Sequence, residues 1–408
     1  MGTLFKNVRL QDDTDLVDIR IDGETIAEIA SGIDSTGHDV IEGDGRVVLP
    51  GLVEAHIHLD KALVADRCLN RSGTVKEAIA VTAELKPTFT SEDVRERAEK
   101  TLRMEILNGV THMRTQSEFD PAGGFTGFHD IMALKERYKN YIDMQVVAFP
   151  QEGIHKAPGT EQMMYEAMDM GADIVGGVPY NDFSANDHID TVFEIAKKYD
   201  KPIDFHQDFM DNAEGTSIQY VIDKTIAEGF QGRVAVGHLT SLGAFEPEAL
   251  KPIAEGMAQA GISVFSLPAT DLHLGGRGDT HNVRRALTPI RFLRSHGVNV
   301  SLASNNIRNA FTPYGNGDLF QIALLGIAGG HLGGADDLPH VIDMITTCPA
   351  DALGYGDAYG VEVGKPADLI MVDSRKRADA IIDLATKLIV MKRGKVLVRT
   401  TKETEWFI

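Results

Sequence analysis

The chain is short of cysteine, tryptophan and long apolar runs. It has two cysteines, Cys68 and Cys348, and one tryptophan in 408 residues. Two cysteines make neither a disulfide framework nor a cysteine zinc cage. No apolar run approaches the roughly 18 residues of a membrane span. The N-terminus, MGTLFKNVRL, has no basic segment followed by an apolar core. A soluble cytoplasmic protein with no membrane partner is the expectation. Positive charge is scarce too: 40 Lys and Arg stand against 60 Asp and Glu, a formal net charge of -20. Such a surface repels phosphate backbones, so nucleic acid is not an expected partner. No G-x-G-x-x-G follows a strand pattern, which sets aside a dinucleotide site. What is present is an ordinary globular content of hydrophobic residues, 43%, and 14 histidines as the metal-capable groups.

Three zones follow one another. Residues 1–49 carry short apolar stretches cut by turns, with Asp22-Gly23 and Asp44-Gly45 as hairpin signals. The middle zone has a rhythm in which a helical pattern ends near Gly or Pro and a short apolar strand follows. In residues 91–107, Val94, Ala98, Leu102 and Ile106 share one helix face, Thr90 and Asp93 fit a capping box, and Asn108-Gly109 ends the helix. Candidate strands lie at 52–58, 110–115, 144–149, 173–178, 203–206, 234–238, 262–267 and 298–303. Eight strand–helix units predict an α/β fold, a (β/α)8 TIM-like barrel over residues 50–356; a doubly wound open sheet is the alternative. Residues 357–408 return to β character. The two ends, 1–49 and 357–408, are expected to join in one small composite β-sandwich beside the barrel.

Barrel enzymes place their chemistry at the C-terminal ends of the strands. Those positions here hold His56, His58, Asp60 and Lys61; Arg114 and Gln116; Gln151; Tyr180 and Asp182; His206 and Asp208; His238; Asp271 and His273; and Asn305 and Asn306. His56 and His58 alternate on one strand and point the same way. His206 and His238 can converge on them, and imidazoles gathered in this way suit zinc, iron or a similar divalent ion. The Met-rich stretch Met163, Met164, Met168 and Met170 reads as a helix packed on the barrel.

The segment Pro50-Gly51-Leu52-Val53-Glu54-Ala55-His56-Ile57-His58 resembles the strand-one signature of the amidohydrolase superfamily. Within it the chain resembles the cytosine deaminase and N-isopropylammelide isopropyl amidohydrolase branch. The supporting segments are 145–153 with Phe149-Pro150-Gln151-Glu152-Gly153, His273-Leu274-Gly275-Gly276-Arg277, and 363–369 with Gly364-Lys365-Pro366-Ala367-Asp368-Leu369. The resemblance implies a barrel with a composite β-sandwich. It implies one divalent metal ion, zinc or iron, held by His56, His58 and His206, with His238 beside the metal-bound water and Gln151 on the substrate. Three positions depart from the family's pattern: Asn305 stands where the metal-binding aspartate is usual, Phe209 replaces the deaminase glutamate, and Gln116 replaces a histidine. Each change removes a titratable group.

His238 or Asp208 is then the candidate proton acceptor, and Lys61 a candidate substrate clamp, with a base of lowered pKa or a merely solvated lysine as its other readings. Gln151, Lys61, Asn305, Asn306, Arg308 and Phe209 are the candidate substrate contacts, Arg308 as a charge reaching into the pocket. Asp208 has a second reading, as a carboxylate orienting a histidine; Arg114 and Arg277 read as binders of a carbonyl or carboxylate or, at least equally, as packed ion pairs. The expected activity is hydrolysis of a C–N bond in a nitrogen heterocycle related to cytosine or an s-triazine, a small molecule, by a homo-oligomeric enzyme. The alternatives are a metal-independent lyase, isomerase or hydrolase using Lys61, Asp208 and His238, and an inactive ligand-binding protein.

Overall fold

The computed structural model describes residues 2–407. Eight parallel strands form one sheet in strict chain order: Leu52–Ile57, Val110–Glu118, Asp143–Phe149, Ile174–Gly177, Ile203–Gln207, Val234–His238, Ser263–Ser266 and Val300–Leu302. A doubly wound sheet would reverse its order at a switch point; this one does not. A bridge from Ile57 to Asn305 brings the last strand back to the first. The amide of Asn305 donates to the His56 carbonyl at 2.8 Å, and the amide of His58 donates to the Asn305 carbonyl at 2.9 Å. Just before this bridge the Glu54 carboxylate fills the seam, accepting from the amides of His56 and Ser304 at 3.1 Å each. Burial pushes the Glu54 carboxyl up to about 7.

The helices follow the apolar spacing. Ser91–Leu107 is helical, Thr90 caps it by accepting from the Asp93 amide, and Val94, Ala98, Leu102 and Ile106 are buried. The Met-rich stretch forms Thr160–Asp169, with Met164 and Met168 buried. Apolar strand and helix faces meet in one continuous core, which holds the strand ends rigid enough to position side chains.

Two four-stranded sheets lie outside the barrel. In one, Gly2–Val8 pairs antiparallel with Val17–Asp22 and parallel with His38–Glu42, and Thr25–Ala30 completes the edge. In the other, Val48–Pro50, Leu369–Val372, Lys387–Lys392 and Lys395–Arg399 run antiparallel. Phe5, Ile19, Ile21 and Ile41 from the first share a core with Leu369, Ile389 and Met391 from the second. Asp22-Gly23 makes the expected hairpin. Asp44-Gly45 does not: it carries the chain from one sheet to the other, because the next strand, Val48–Pro50, pairs with Leu369–Val372 instead of folding back.

Candidate metal and catalytic site

His56 and His58 flank Ile57, the last residue of the first barrel strand, and His206 is the last but one of the fifth. Their rings converge: His206 Nε2 lies 3.1 Å from His56 Nε2 and 3.1 Å from His58 Nε2. All three side chains are buried. Burial, then the neighbouring positive groups, holds each pKa well below the usual histidine value, so the imidazoles are neutral. A neutral imidazole carries one N–H, and His206 Nε2 cannot satisfy two nitrogens at once. Three convergent lone pairs fit a divalent cation. Tetrahedral nitrogen ligands at about 2.0–2.1 Å from zinc stand about 3.3 Å apart, close to the spacing seen.

The surroundings fix these rings. Phe149, the last residue of strand three, stacks on His206 with centroids 4.1 Å apart. Gly237 on strand six makes room for His56: a Cβ there would lie 3.1 Å from His56 Cε1. Gln116 approaches His56 Nδ1 at 3.4 Å, and Glu118 Oε1 faces His58 Nδ1 at 3.7 Å. Asn305 is buried in the left-handed region (φ 60°), a conformation its closing bridge enforces. Its Oδ1 has no hydrogen-bond partner among the described residues, which leaves a neutral oxygen free to serve as a ligand.

His238, at the end of strand six, sits beside the trio, its ring centroid 5.4 Å from that of His206. Its Nδ1 lies 2.6 Å from Asp271 Oδ1, and Phe209 stacks flat on its face at 4.1 Å and 10°. Its backbone is left-handed (φ 71°) and its carbonyl is held by the Thr288 hydroxyl. With Nδ1–H donating to the carboxylate, Nε2 is left as an acceptor. Asp271 is therefore the carboxylate that orients a histidine here. It stood among the strand-end polar residues in the sequence, but only the fold shows that the short helix Pro268–Leu274 aims it at His238.

Other candidates land elsewhere. Asp208 is committed to helix Ile218–Ala227: its carboxylate accepts from the Ser217 amide at 3.0 Å, the Ile218 amide at 3.0 Å, the Ser217 hydroxyl and the Gln207 amide. Four donors leave it no lone pair turned to the trio. Asn306 is tied between Asn309 Nδ2 at 2.7 Å and Thr270 Oγ1 at 3.5 Å. Arg308 is exposed and donates to the Gly315 carbonyl at 2.9 Å, because its left-handed backbone (φ 50°) turns the side chain onto its own loop. Arg114 is a packed ion pair with Asp204, 2.9 Å apart and buried. Arg277 is exposed and folds back on the His273 carbonyl. Lys61 is buried and pairs with Glu118, with Gln151 Oε1 3.1 Å away. Glu118, which sequence reading left out, is part of a strand that runs three residues beyond its expected end.

A second histidine–carboxylate cluster lies at the opposite, N-terminal ends of the strands: His112, Asp143 and Asp368. Lys392 Nζ stands 2.7 Å from both Asp143 Oδ2 and Asp368 Oδ2, and 3.4 Å from His112 Nε2.

Residues 75–398 match the amidohydrolase family model. N-isopropylammelide isopropyl amidohydrolase of Pseudomonas sp. (strain ADP) is 31% identical over 406 residues, 97% of each chain. The structure of 5-methylcytosine deaminase from Klebsiella pneumoniae liganded with 5-fluorocytosine superposes with a TM-score of 0.95 at 31% identity, covering 99% of both chains. N-isopropylammelide isopropylaminohydrolase from Burkholderia multivorans gives 0.86 at 27%, covering 98% of both.

Proposed function

The chain belongs to the amidohydrolase family, and from that premise we propose the residues and the substrate of its reaction. It is a hydrolase of C–N bonds other than peptide bonds, acting on a small nitrogen heterocycle, like the relatives it matches along nearly its whole length. The metal-independent reading is not favoured, since the histidine trio offers a metal site and the relatives are an amidohydrolase and a deaminase. No helix among the described residues is long and apolar enough to cross a membrane.

The observation that carries the site assignment is the approach of His56 Nε2 and His58 Nε2 to His206 Nε2, at 3.1 Å each. His56, His58 and His206 are the proposed ligands of one zinc or iron ion, and Asn305 Oδ1 is available as a neutral fourth. Such an ion would supply Lewis acidity that lowers the pKa of a water toward about 7. His238 is the proposed base. Its Nε2 accepts a proton from water, Asp271 stabilises the resulting imidazolium, and the same Nε2–H returns the proton to the leaving nitrogen. Phe209 holds the His238 ring by stacking and excludes water from it. It cannot protonate a ring nitrogen, so the substrate carbon must be electrophilic without that help. This favours an electron-poor ring of the s-triazine type carrying an exocyclic amino group over cytosine.

The test is a panel of N-isopropylammelide, cytosine, 5-methylcytosine and pterin offered to the zinc- or iron-loaded enzyme, with released ammonia or amine measured. Turnover of the triazine above the pyrimidines, lost on chelation and restored by metal, is expected. Turnover undiminished in chelated enzyme overturns the metal assignment. Faster turnover of cytosine than of the triazine overturns the substrate preference.

A further inference from the structure

Lys61 does a job that neither a clamp nor a base describes. Its ammonium is sealed inside the protein, 2% exposed, between the Glu118 carboxylate and the Gln151 side chain, and packs 4.4 Å from the Phe311 ring centroid. An ammonium has three N–H donors and no acceptor. The Gln151 atom that faces Lys61 Nζ at 3.1 Å is therefore the carbonyl oxygen, whichever way an amide could otherwise turn.

The Gln151 amide nitrogen must then point away from Lys61. It has no hydrogen-bond partner among the described residues. The main chain cannot swing to compensate. Asn181 Nδ2 holds the Gln151 carbonyl at 2.7 Å, and the Asp182 carboxylate accepts from the amides of Ile154 at 2.7 Å, His155 at 3.0 Å and Lys156 at 2.8 Å. Nor can Lys61 withdraw. Glu118 also pairs with Lys86 Nζ at 3.1 Å, which in turn holds Asp120 at 2.8 Å and Glu152 at 3.2 Å. The amide of Glu118 donates to Asp60 Oδ2 at 2.7 Å. Glu118 lies 3.7 Å from His58 Nδ1, and Gln151 follows Phe149, the residue stacked on His206, by two positions. The arrangement thus borders the histidine trio.

We propose that the Lys86–Glu118–Lys61 chain locks Gln151 as a donor only, so that the site selects heterocycles that present an acceptor to it. That acceptor is an exocyclic carbonyl oxygen on the ring; an amino group at the same place would meet two N–H donors. Lys61 is a positioning residue: its charge is spent on Glu118, and it acts on substrate through Gln151. This inference rests on the proposed site and substrate class.

The experiment measures affinity, not turnover, by titration calorimetry. The probes are pyrimidin-2-one and 2-aminopyrimidine, which exchange a carbonyl for an amino group on the same ring. The wild-type protein is expected to bind the oxo compound roughly tenfold or more tightly. Lys61→Met keeps the apolar stem of the side chain, one atom shorter, and removes the donors, so Gln151 can turn over and the ratio should fall to about threefold or less. Lys61→Arg, which again has only donors, should keep the wild-type ratio; this rescue separates the lock from a general loss of packing. Equal affinities in the wild type, a preference for the amino compound, no detectable binding of either, or an unchanged ratio in Lys61→Met overturns the inference. Correct ratios in a protein that turns over no heterocycle would count against the proposed function alone. Turnover without the ratio would count against the lock alone.

Discussion

The three-histidine cluster at the C-terminal ends of the barrel strands and the His112–Asp143–Asp368 cluster at their N-terminal ends each bring three potential metal donors together, but only the second also holds a lysine. At the N-terminal end, Lys392 places its ammonium between Asp143 and Asp368 beside His112. The chain supplies the cation itself, and burial with that neighbouring charge takes the His112 pKa down to about 4. At the C-terminal end no ammonium stands among His56, His58 and His206, and the nearest lysine, Lys61, is bound to Glu118. Three convergent donors are therefore not by themselves a metal site. A lysine tether turns one into a structural staple between barrel and outer sheet. Its absence from the other leaves three nitrogen lone pairs for an exogenous ion.

The widest separation between the two clusters should come from removing one histidine from each. His206→Ala is expected to take metal content from about one ion per chain to near none, and activity down on the order of 10³-fold or more. His112→Ala should leave the metal content unchanged. Elemental analysis of both variants decides the point, and metal loss in His112→Ala would break the distinction.

Lys392→Met inverts the comparison, because it strips two carboxylates of their buried counter-ion. A loss of about 3–5 kcal/mol of stability is expected in denaturant unfolding, with metal content intact. A variant as stable as the wild type would show that the ammonium is not holding the cluster together.

Asn305→Asp sharpens the C-terminal cluster alone. It converts a neutral oxygen into an anionic one beside three neutral nitrogens, and metal affinity should rise about tenfold or more in competition with a chelator. Unchanged affinity would remove residue 305 from the ligand set.

The smallest effect concerns a carboxyl that has neither a lysine nor a metal. Glu105 is buried, both its oxygens lack partners, and burial with the nearby Glu54 and Asp318 raises its pKa well above 4.5. A carboxyl raised on folding contributes its stability in full below the unfolded value of about 4.5 and loses it as pH rises through the folded value. The wild type should therefore lose stability from about pH 5 to pH 9 relative to Glu105→Gln, by roughly 1–3 kcal/mol. Urea midpoints at the two pH values test this, and parallel curves would show that Glu105 does not titrate in that range.

Much of the site was legible because strand periodicity is local. His56 and His58, two apart on a buried strand, had to share a side, and His206 and His238 had to sit at matching strand ends once the rhythm showed eight units. Asp208 was misread for a related reason: a strand end shows where the chain turns, not which helix amide claims a carboxylate. Arg308 was misread because a left-handed backbone at a non-glycine residue leaves no mark in composition. Asp271 was visible as a polar residue near a strand end. Its partnership with His238 spans 33 positions and depends on a one-turn change of direction after strand seven.

The sequence by itself determined the barrel, the four histidines and the loss of acid groups at 209 and 305, since these follow from spacing, residue identity and family motifs. Tertiary structure alone decided which carboxylates serve which donors. Asp271 takes His238, Glu118 takes Lys61, Asp204 takes Arg114, and Asp143 with Asp368 takes Lys392. The physical reason is the price of burying charge. In a low-dielectric interior each ion needs a partner within a few ångströms, and which groups come that close is set by the packing of distant segments.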